Sequence, residues 1–499
     1  MTIEDEHPPS RGARPTAHEL ARYERLFAAR TRGMRSSAMR EMMALTERPE
    51  VISLAGGLPD TSTFPPELYA KLMAHVAADS TARALQYGPT EGMAATMECI
   101  VQVMAEEGTT VGTDEMIVTT GGQQVIDLVC KTLIDPGDVI VAEAPTYPGA
   151  VPTFSAYQAD VVQIEMDEDG MPIDALQATL DRLQAEGRRP KFIYTIPNFQ
   201  NPGGVTMSLE RRRRLVQIAR ERELLVLEDN PYGLLRYEGE PLPTLYSLDA
   251  ANSGRSGKSD FVIYLGTFSK ILSPGIRLGW AVAPRPVLEK LNLGKQGADL
   301  CSSSMTQLFV ARYFSEYDWR GYLRELRELY SCRRDVMLAT LREHFGEEAH
   351  WTTPQGGLFI WATLPPYIDT TNLLAQCTNV AFVPGRAAYM DAEGRLGSSS
   401  MRLNFAGLPE EVIREGVGRI GTAVERQMRL FGAVTKTPRP RRSTAGAPGT
   451  PVPPAPSGEP TGRAGRQPAE TREAAPGEPR GEKGLADVVE LRRRRAGGR

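Results

Sequence analysis

The sequence predicts an α/β fold, in which a large domain with a mainly parallel sheet between helices is followed by a smaller α+β C-terminal domain. Apolar runs of strand length alternate with segments of helical periodicity through the middle of the chain. Two of the runs, Leu224–Glu228 and Phe261–Leu265, are almost wholly apolar, which is typical of strands covered on both faces. Beyond about residue 308 a long helical pattern precedes Gly356-Gly357 and the strand-like run Leu358–Ala362, which indicates a second unit.

The elements of the large domain are predicted in βα order. The run Met116–Thr119 is a strand that leads through two glycines into a helix, Gln123–Leu133. The next strand is Lys191–Ile196, and Ser208 is the expected N-cap of the helix after it. That helix has apolar positions at helical spacing, and we expect Arg211–Arg214 to form its solvated face. Leu224–Glu228, Phe261–Leu265 and Leu278–Ala283 are the strands that follow.

The domain organisation follows from composition and pattern. The last 65 residues hold 11 Pro, 10 Gly, 14 basic and 7 acidic residues, without Phe, Tyr, Trp, Ile or Met. Such a segment cannot bury enough apolar surface to offset its ordering entropy, so we expect it to be disordered. The predicted units are a disordered N-terminus (1–18), an N-terminal arm and lid (19–60), a large domain (61–308), a small C-terminal domain (309–434) and a disordered tail (435–499).

Composition also excludes several classes of protein. The five cysteines are dispersed and form no C-x-x-C pair, which favours reduced thiols in a cytoplasmic protein, without disulfides and without a metal site. Neither a secretory signal nor an apolar run long enough to span a membrane is evident. Residues 1–434 carry 44 basic and 55 acidic residues, so no nucleic acid is expected to bind the core. The basic tail is interpreted as solvated, with an anionic partner as the alternative.

Polar residues collect where the predicted strands end, and the active sites of open parallel sheets lie at that edge. Each group has an ordinary interpretation as a turn, a helix cap or a solvated lysine. Together they offer an amine, a carboxylate, hydroxyls and a glycine-rich helix start. The groups are Thr119–Gln124, Asn198–Gly204, Glu228–Tyr232 and Thr267–Lys270 with Arg277.

The four groups fit one cofactor better than they fit four unrelated turns. A lysine amine forms a Schiff base with an aldehyde. A carboxylate paired with a pyridinium nitrogen makes the ring an electron sink. Hydroxyls, an arginine and a helix N-terminus hold a phosphate. An aldehyde, a pyridine and a phosphate together describe pyridoxal 5′-phosphate (PLP).

At these residues the sequence resembles the fold-type I, aspartate-aminotransferase-like PLP enzymes, and most of all the branch of 2-aminoadipate, kynurenine and aromatic aminotransferases. The resemblance extends from about Arg35 to about Gly421. The matching strings are SLAGGLPD (53–60), LQYGPTEG (85–92), TTGGQQ (119–124), APTYPG (144–149), IPNFQNPGG (196–204), LEDNPYG (227–233), GTFSKILSPGIRLGW (266–280), PQGGLFIW (354–361) and SMRLNF (400–405).

The resemblance implies a role for each residue around the cofactor ring. Lys270 would carry the Schiff base and then move the proton between substrate and cofactor. Asp229 would pair with the pyridinium nitrogen, Asn201 and Tyr232 would bond the phenolic oxygen, and Tyr147 would stack on the ring.

The resemblance also implies how the phosphate would be held and by which subunits. Tyr87 would reach the cofactor phosphate of a partner subunit, which implies a homodimer with shared active sites. A glycine stands at 122 where this branch often has serine, so only its backbone N–H remains available. The implied phosphate ligands within the chain are Gly122, Gln123, Thr267, Ser269 and Arg277.

Substrate recognition is implied by a third set of residues. Arg402 would form a bidentate pair with the substrate α-carboxylate. Arg40, on the predicted N-terminal lid, would receive an acidic side chain, with a surface ion pair as the alternative interpretation. Ser37, Gly57 and Asn201 complete the expected substrate contacts.

The expected function is that of a PLP-dependent aminotransferase, which moves an amino group from an L-amino acid of the 2-aminoadipate, aromatic or branched-chain type to a 2-oxo acid such as 2-oxoglutarate. The same scaffold supports a β-lyase or a decarboxylase, since a fold does not determine the reaction. A third alternative is the effector domain of a PLP-sensing transcription regulator. It is disfavoured because the segment before the resemblance is too short and too rich in proline for a winged helix-turn-helix.

Overall fold

A computed structural model of the chain describes residues 22–34, 48–254, 257–391 and 393–435. The predicted disordered N-terminus and all but the first residue of the predicted tail lie outside these residues. The strands are β1 (Ile52–Ser53), β2 (Met116–Thr119), β3 (Val139–Ala144), β4 (Asp160–Glu165), β5 (Pro190–Thr195), β6 (Leu225–Asp229), β7 (Val262–Thr267), β8 (Gly279–Val282), β9 (His350–Trp351), β10 (Phe359–Thr363), β11 (Val380–Ala381), β12 (Val383–Pro384) and β13 (Ser400–Asn404).

Helices separate most of these strands. The α-helices are α1 (Pro66–Ala84), α2 (Ala94–Glu106), α3 (Gly122–Leu133), α4 (Val151–Ala156), α5 (Ile173–Ala185), α6 (Leu209–Glu221), α7 (Leu245–Asn252), α8 (Arg285–Gln296), α9 (Ser304–Glu316), α10 (Trp319–His344), α11 (Thr370–Gln376) and α12 (Glu410–Thr435). Short 3₁₀ turns lie at Ala29–Gly33, Thr61–Thr63, Thr113–Glu115, Pro274–Ile276 and Gly385–Ala388.

The large domain is built on a seven-stranded sheet in the order β2-β8-β7-β6-β5-β3-β4. Strand β8 runs antiparallel to both of its neighbours, and the other neighbouring pairs are parallel. Every residue of β2, β3, β7 and β8 is buried, because helices cover both faces of the sheet. The mainly parallel α/β architecture predicted from the sequence is confirmed.

The predicted elements match the structure to within one or two residues. Strand β2 has the predicted bounds, and the helix expected from Gln123 begins one residue earlier. Strand β5 is displaced by one residue from the predicted Lys191–Ile196. Ser208 occupies the predicted N-cap position in an extended conformation, although its side chain makes no capping bond. Strands β3 and β4 were not predicted.

The smaller C-terminal domain contains an antiparallel sheet in the order β12-β13-β10-β9. The long helices α10 and α12 pack against each other. Strand β1 pairs with β11, so the segment that begins at residue 52 joins the C-terminal part of the chain. The predicted boundary between residues 308 and 309 falls inside α9, a helix that packs against α1 and α2.

The expectation that Arg211–Arg214 form a solvated face is wrong for Arg212. Its guanidinium is fully buried and donates to the carbonyls of Met207, Pro197 and Pro243 and to Oδ1 of Asn198, over 2.7–3.0 Å. Four consecutive helical residues cover most of the helix circumference, so one of them faces the sheet.

Within the described ranges, no helix is both long and apolar enough to span a bilayer.

Candidate active site

A cleft of about 300 Å³ lies at the carboxyl ends of the large-sheet strands. Its walls come from the ends of β5, β6 and β7, the start of α3 and the segment after β1. Residues from opposite ends of the chain therefore share one cavity. It is lined by Ser53, Ala55, Gly56, Gly57, Leu58, Gly122, Gln123, Ile126, Tyr147, Ile196, Asn201, Asp229, Pro231, Tyr232, Leu265, Thr267, Ser269, Lys270, Pro274, Arg277 and Arg402.

Lys270 stands in the turn after β7, and its Nζ donates to the carbonyl of Gly57. Burial lowers the pKa of this amine to about 8, and the positive charges of Arg402 and Arg277 act in the same direction. A substantial fraction of the amine is therefore neutral near pH 8. A neutral amine is both a nucleophile toward an aldehyde and an acceptor for a proton.

Asp229 ends β6 and is buried at the base of the cleft. Tyr194, on the neighbouring strand β5, donates its hydroxyl to Oδ2 of Asp229 at 2.6 Å. Burial raises the pKa of the Asp229 carboxyl to about 7, the bond from Tyr194 opposes this rise, and the charge of Glu143 adds to it. A buried carboxyl of this kind is stabilised as the anion by a cation placed against it.

Hydrogen bonds join three buried residues, Tyr232, Asn201 and Arg402, on another wall of the cleft. Asn201 donates through Nδ2 to the hydroxyl of Tyr232 at 3.2 Å and accepts from Nη1 of Arg402 at 3.0 Å. Nη2 of Arg402 donates to the carbonyl of Ala55 at 2.6 Å, and the guanidinium lies 4.3 Å from the ring centroid of Phe359. The Arg402 guanidinium is thus held in one orientation on the cleft wall.

The start of α3 forms an anion-binding corner with the turn after β7. Gly121 has a φ of 78°, and a Cβ there would lie 2.3 Å from Nη2 of Arg277, so a side chain would displace the arginine. Thr267 donates to Ser269 at 2.9 Å, and Arg277 approaches the same Ser269 hydroxyl at 3.4 Å. The free N–H groups of a helix start, two hydroxyls and a guanidinium suit a phosphate.

The segment that carries Gly57 is held from the smaller domain. Asn404 donates through Nδ2 to the carbonyls of Gly56 and Leu58. Asp60 forms a buried ion pair with Arg333 at 2.7 Å. Sequence reasoning missed these supporting residues, because their partners are more than 250 residues away in the chain.

The structure brings most of the predicted site residues together. Tyr87 lines no part of the cleft and has 78% of its surface exposed in the single chain. Ser37 and Arg40 lie outside the described residues. The predicted residues that line this one cleft are Gly57, Gly122, Gln123, Tyr147, Asn201, Asp229, Tyr232, Thr267, Ser269, Lys270, Arg277 and Arg402.

Two further buried residues behind the cleft were not anticipated. Tyr194 bonds Asp229, as described above. Glu143, at the end of β3, accepts from Gln200 Nε2 at 3.0 Å and from the backbone N–H of Ile196 at 3.2 Å. Burial raises the pKa of the Glu143 carboxyl. A signal for both was present, since each is a polar residue inside a strand whose other residues are largely apolar.

The residues of the cleft fit pyridoxal phosphate. The corner at α3 and Arg277 suits the phosphate, Lys270 suits the aldehyde, and Asp229 is a buried carboxyl that a protonated ring nitrogen would stabilise. Asp229 ends β6, and Lys270 follows β7, which is the neighbouring strand. Neighbouring strands lie about 4.7–4.9 Å apart in any sheet, so the carboxyl and the amine stand close enough to contact one ring. Sheet order and site together define the class of PLP-dependent enzymes of fold type I.

Comparisons with known proteins identify the family within this class. The family model described as aminotransferase class I and II matches residues 49–420, and the chain belongs to that family. Aromatic-amino-acid aminotransferase 1 of Thermococcus litoralis is 42% identical over 410 residues, which cover 82% of this chain and 96% of that protein.

Two solved structures extend the likeness to three dimensions. The kynurenine aminotransferase of Pyrococcus horikoshii, in complex with PMP, is 38% identical with a TM-score of 0.75, and the match covers 82% of this chain and 99% of that one. The α-aminoadipate aminotransferase of Thermus thermophilus, complexed with N-(5′-phosphopyridoxyl)-L-leucine, is 36% identical with a TM-score of 0.75 and the same coverage. This protein is therefore a PLP-dependent transaminase, and its cofactor is pyridoxal phosphate.

Proposed function

We propose that the protein transfers the amino group of an L-amino acid of the 2-aminoadipate, aromatic or branched-chain type to a 2-oxo acid such as 2-oxoglutarate. Relatives whose names specify aromatic amino acids, 2-aminoadipate and kynurenine support the aromatic and 2-aminoadipate donors, and the phosphopyridoxyl-leucine bound to the Thermus thermophilus enzyme supports a branched-chain donor. The proposal places the reaction in amino-acid metabolism in the cytoplasm.

The observation that carries the proposal is the position of Arg402 in the same cleft as Lys270. A fully buried guanidinium on a cleft wall is suited to a planar anion, and a carboxylate accepts two parallel hydrogen bonds from it. Donor and acceptor both carry an α-carboxylate. A single arginine can therefore hold either substrate with its α-carbon near the Lys270 amine.

The chemistry is divided between the cofactor and the chain. When bound, PLP supplies an aldehyde that condenses with the amino group and a ring that accepts the electron pair of the α-carbon. Burial makes the Lys270 amine less basic. Its Nζ would take the proton from the substrate α-carbon and then deliver a proton to the cofactor. Asp229 would hold a proton at the ring nitrogen, and Asn201 and Tyr232 would hydrogen-bond the phenolic oxygen.

The remaining assignments concern neighbouring subunits and specificity. Tyr87 is assigned to the phosphate of a partner's cofactor in a homodimer, and its exposure in the single chain is consistent with such a contact. Arg40 and Ser37 are assigned to the substrate side chain, and Gly57 is assigned as a substrate contact beside the Lys270 amine. These assignments rest on the sequence motifs.

A donor panel with purified holoenzyme tests the function. 2-Aminoadipate, kynurenine, phenylalanine and leucine are each offered with 2-oxoglutarate, glutamate is offered with a different 2-oxo acid, and the new amino acid and the new 2-oxo acid are quantified together. Equal amounts of both are expected, with no turnover by Lys270→Ala and normal turnover by Lys191→Ala, since Lys191 is a half-buried lysine of β5 that pairs with Asp138 and does not line the cleft. Release of ammonia with pyruvate, or of carbon dioxide, without amino transfer would contradict the proposal.

A further inference from the structure

Tyr194 is the buried neighbour of the carboxylate at the base of the cleft. Its strand β5 pairs in parallel with β6, which ends at Asp229. The Tyr194 ring packs edge-on against Phe154 at 5.4 Å, and its hydroxyl meets Oδ2 of Asp229 at 2.6 Å. Only 1% of Tyr194 is exposed, and it does not line the cleft. Its hydrogen bond to the cleft is therefore made to Asp229.

We propose that Tyr194 is a positioning residue whose hydroxyl occupies Oδ2 of Asp229 and thereby keeps the proton between Asp229 and the PLP ring on the ring nitrogen. The inference rests on the proposed place of Asp229 opposite that nitrogen. It goes beyond the proposed function because it assigns the protonation state of the ring to a residue that touches neither substrate nor cofactor.

The Asp229 carboxylate and the ring nitrogen are competing bases. A single proton lies between a carboxylate oxygen and a ring nitrogen, and its transfer breaks an O–H bond and forms an N–H bond without any change in electron count. A hydroxyl donated to the carboxylate stabilises the anion, so the carboxylate becomes the weaker base. The proton then resides on the nitrogen, where it makes the ring a better electron sink.

The other groups that face Asp229 do not replace this bond. The negative charge of Glu143 makes the Asp229 carboxyl harder to ionise and so acts against Tyr194. The hydroxyls of Tyr147 and Tyr232 lie close enough for Asp229 to raise their pKa values, but neither shifts the pKa of Asp229 by a hydrogen bond. Burial of Asp229 also favours its neutral form. Among the described residues, Tyr194 is the side chain whose hydrogen bond favours the carboxylate.

The test measures where the proton is. Apoprotein is loaded with PLP that carries ¹⁵N in the ring, and the ¹⁵N chemical shift is compared between the wild type, Tyr194→Phe and a matched control, Tyr264→Phe. Tyr264 lies on β7, is likewise 1% exposed, and donates to a different carboxylate, Glu107, at 2.7 Å. Both variants therefore remove one buried hydroxyl that donates to an acid.

The wild type and Tyr264→Phe should show a pyridinium-like shift. Tyr194→Phe should move toward the neutral pyridine value, since loss of one hydrogen bond to an ion shifts the proton equilibrium by about ten- to hundredfold. Its kcat should fall while the affinity for inorganic phosphate in the apoprotein is unchanged. An unchanged ¹⁵N shift in Tyr194→Phe would overturn the inference.

Two further outcomes are decisive. A neutral ring in the wild type would refute the role of Asp229 itself, which separates failure of the proposed site from failure of the Tyr194 inference. If Tyr194→Phe does not fold, p-aminophenylalanine at 194 supplies an isosteric ring with a weaker N–H donor. A smaller displacement of the ¹⁵N shift in the same direction supports the inference, and no displacement overturns it.

Discussion

Replacement of Arg402 by lysine should weaken both half-reactions by the same factor. Lysine keeps the positive charge but cannot offer two parallel N–H groups to a carboxylate. Loss of one charge-assisted hydrogen bond is worth about 1.5–3 kcal/mol, which corresponds to a fall in kcat/KM of about ten- to hundredfold. Because donor and acceptor share the α-carboxylate, the fall should be equal for the two.

The structure adds a dependence on pH. Burial lowers the pKa of Arg402 from its ordinary 12.5 to about 10, so the guanidinium stays charged at pH 8. Burial would lower the pKa of a lysine at this position in the same direction, from an ordinary value of about 10.4 that already lies below that of arginine. A lysine is charged below its pKa and neutral above it. The deficit of Arg402→Lys relative to the wild type should therefore grow as the pH rises.

The assay is single-turnover absorbance of the bound cofactor, with donor and with 2-oxo acid separately, from about pH 6.5 to about pH 9, a range in which arginine stays charged and a lysine of lowered pKa can lose its proton. Arg334→Lys is the matched control, because Arg334 is also buried and donates to the carbonyl of Pro354 at 2.9 Å and to the carboxylate of Glu238, but does not line the cleft. It should lower thermal stability and leave kcat/KM within about twofold, as expected for a substitution away from the site.

A loss confined to one half-reaction would refute the role of Arg402 in binding the shared carboxylate. A constant deficit across the pH range would refute the account of burial. A parallel loss of PLP affinity in Arg402→Lys would indicate that the variant has disturbed the cofactor site instead.

Four other predictions follow from the site and the sequence. Borohydride should fix the pyridoxyl group on Lys270, as peptide mapping would show, and PLP incorporation into apoprotein should accelerate as the pH rises through about 8, the pKa above which the amine is mostly neutral; a label on another lysine contradicts the assignment. Asp229→Asn should retain PLP yet lose several orders of magnitude in kcat, because a neutral amide cannot hold the ring protonated, and near-normal kcat would refute this. Arg40→Ala should reduce kcat/KM for glutamate and 2-aminoadipate by about ten- to hundredfold and leave leucine and phenylalanine unchanged, whereas equal losses would assign Arg40 to folding or closure. A chain ending at about residue 434 should keep the oligomeric state and the activity of the full chain in gel filtration and turnover assays, because residues 435–499 hold no Phe, Tyr, Trp, Ile or Met; loss of either would make the tail structural.

The regular elements were readable from the sequence because their signals are local. Period-two and continuous apolar runs located β2, β5, β6, β7 and β8 to within a residue or two. The strands β3 and β4 escaped, although Val139–Ala144 is as apolar as the strands that were found. The mainly parallel arrangement of the sheet was predictable from the alternation of strands and helices. The antiparallel direction of β8 was not, because it depends on the connection between β7 and β8, which contains Arg277.

The arginines of α6 illustrate a failure of pattern reasoning. A run of four arginines suggests a solvated face, yet a helix turns about 100° per residue, so the run surrounds the helix. Arg212 faces inward and is stabilised by carbonyl oxygens of two loops, one of which continues to Asn201. Those acceptors are backbone groups that any residue carries, so no sequence signal marks them.

The sequence by itself determined that Lys270, Asp229 and the glycine-rich turn at 121–122 follow strands, and parallel strands end at one edge of a sheet. It thus determined the chemistry of the cleft. Only the tertiary structure decided that Tyr194 bonds Asp229 and that Lys270 meets Gly57, 213 residues away in the chain. A polar residue inside an apolar strand marks Tyr194 as unusual, but which residue it contacts depends on strand order and register, which arise from packing across the whole core.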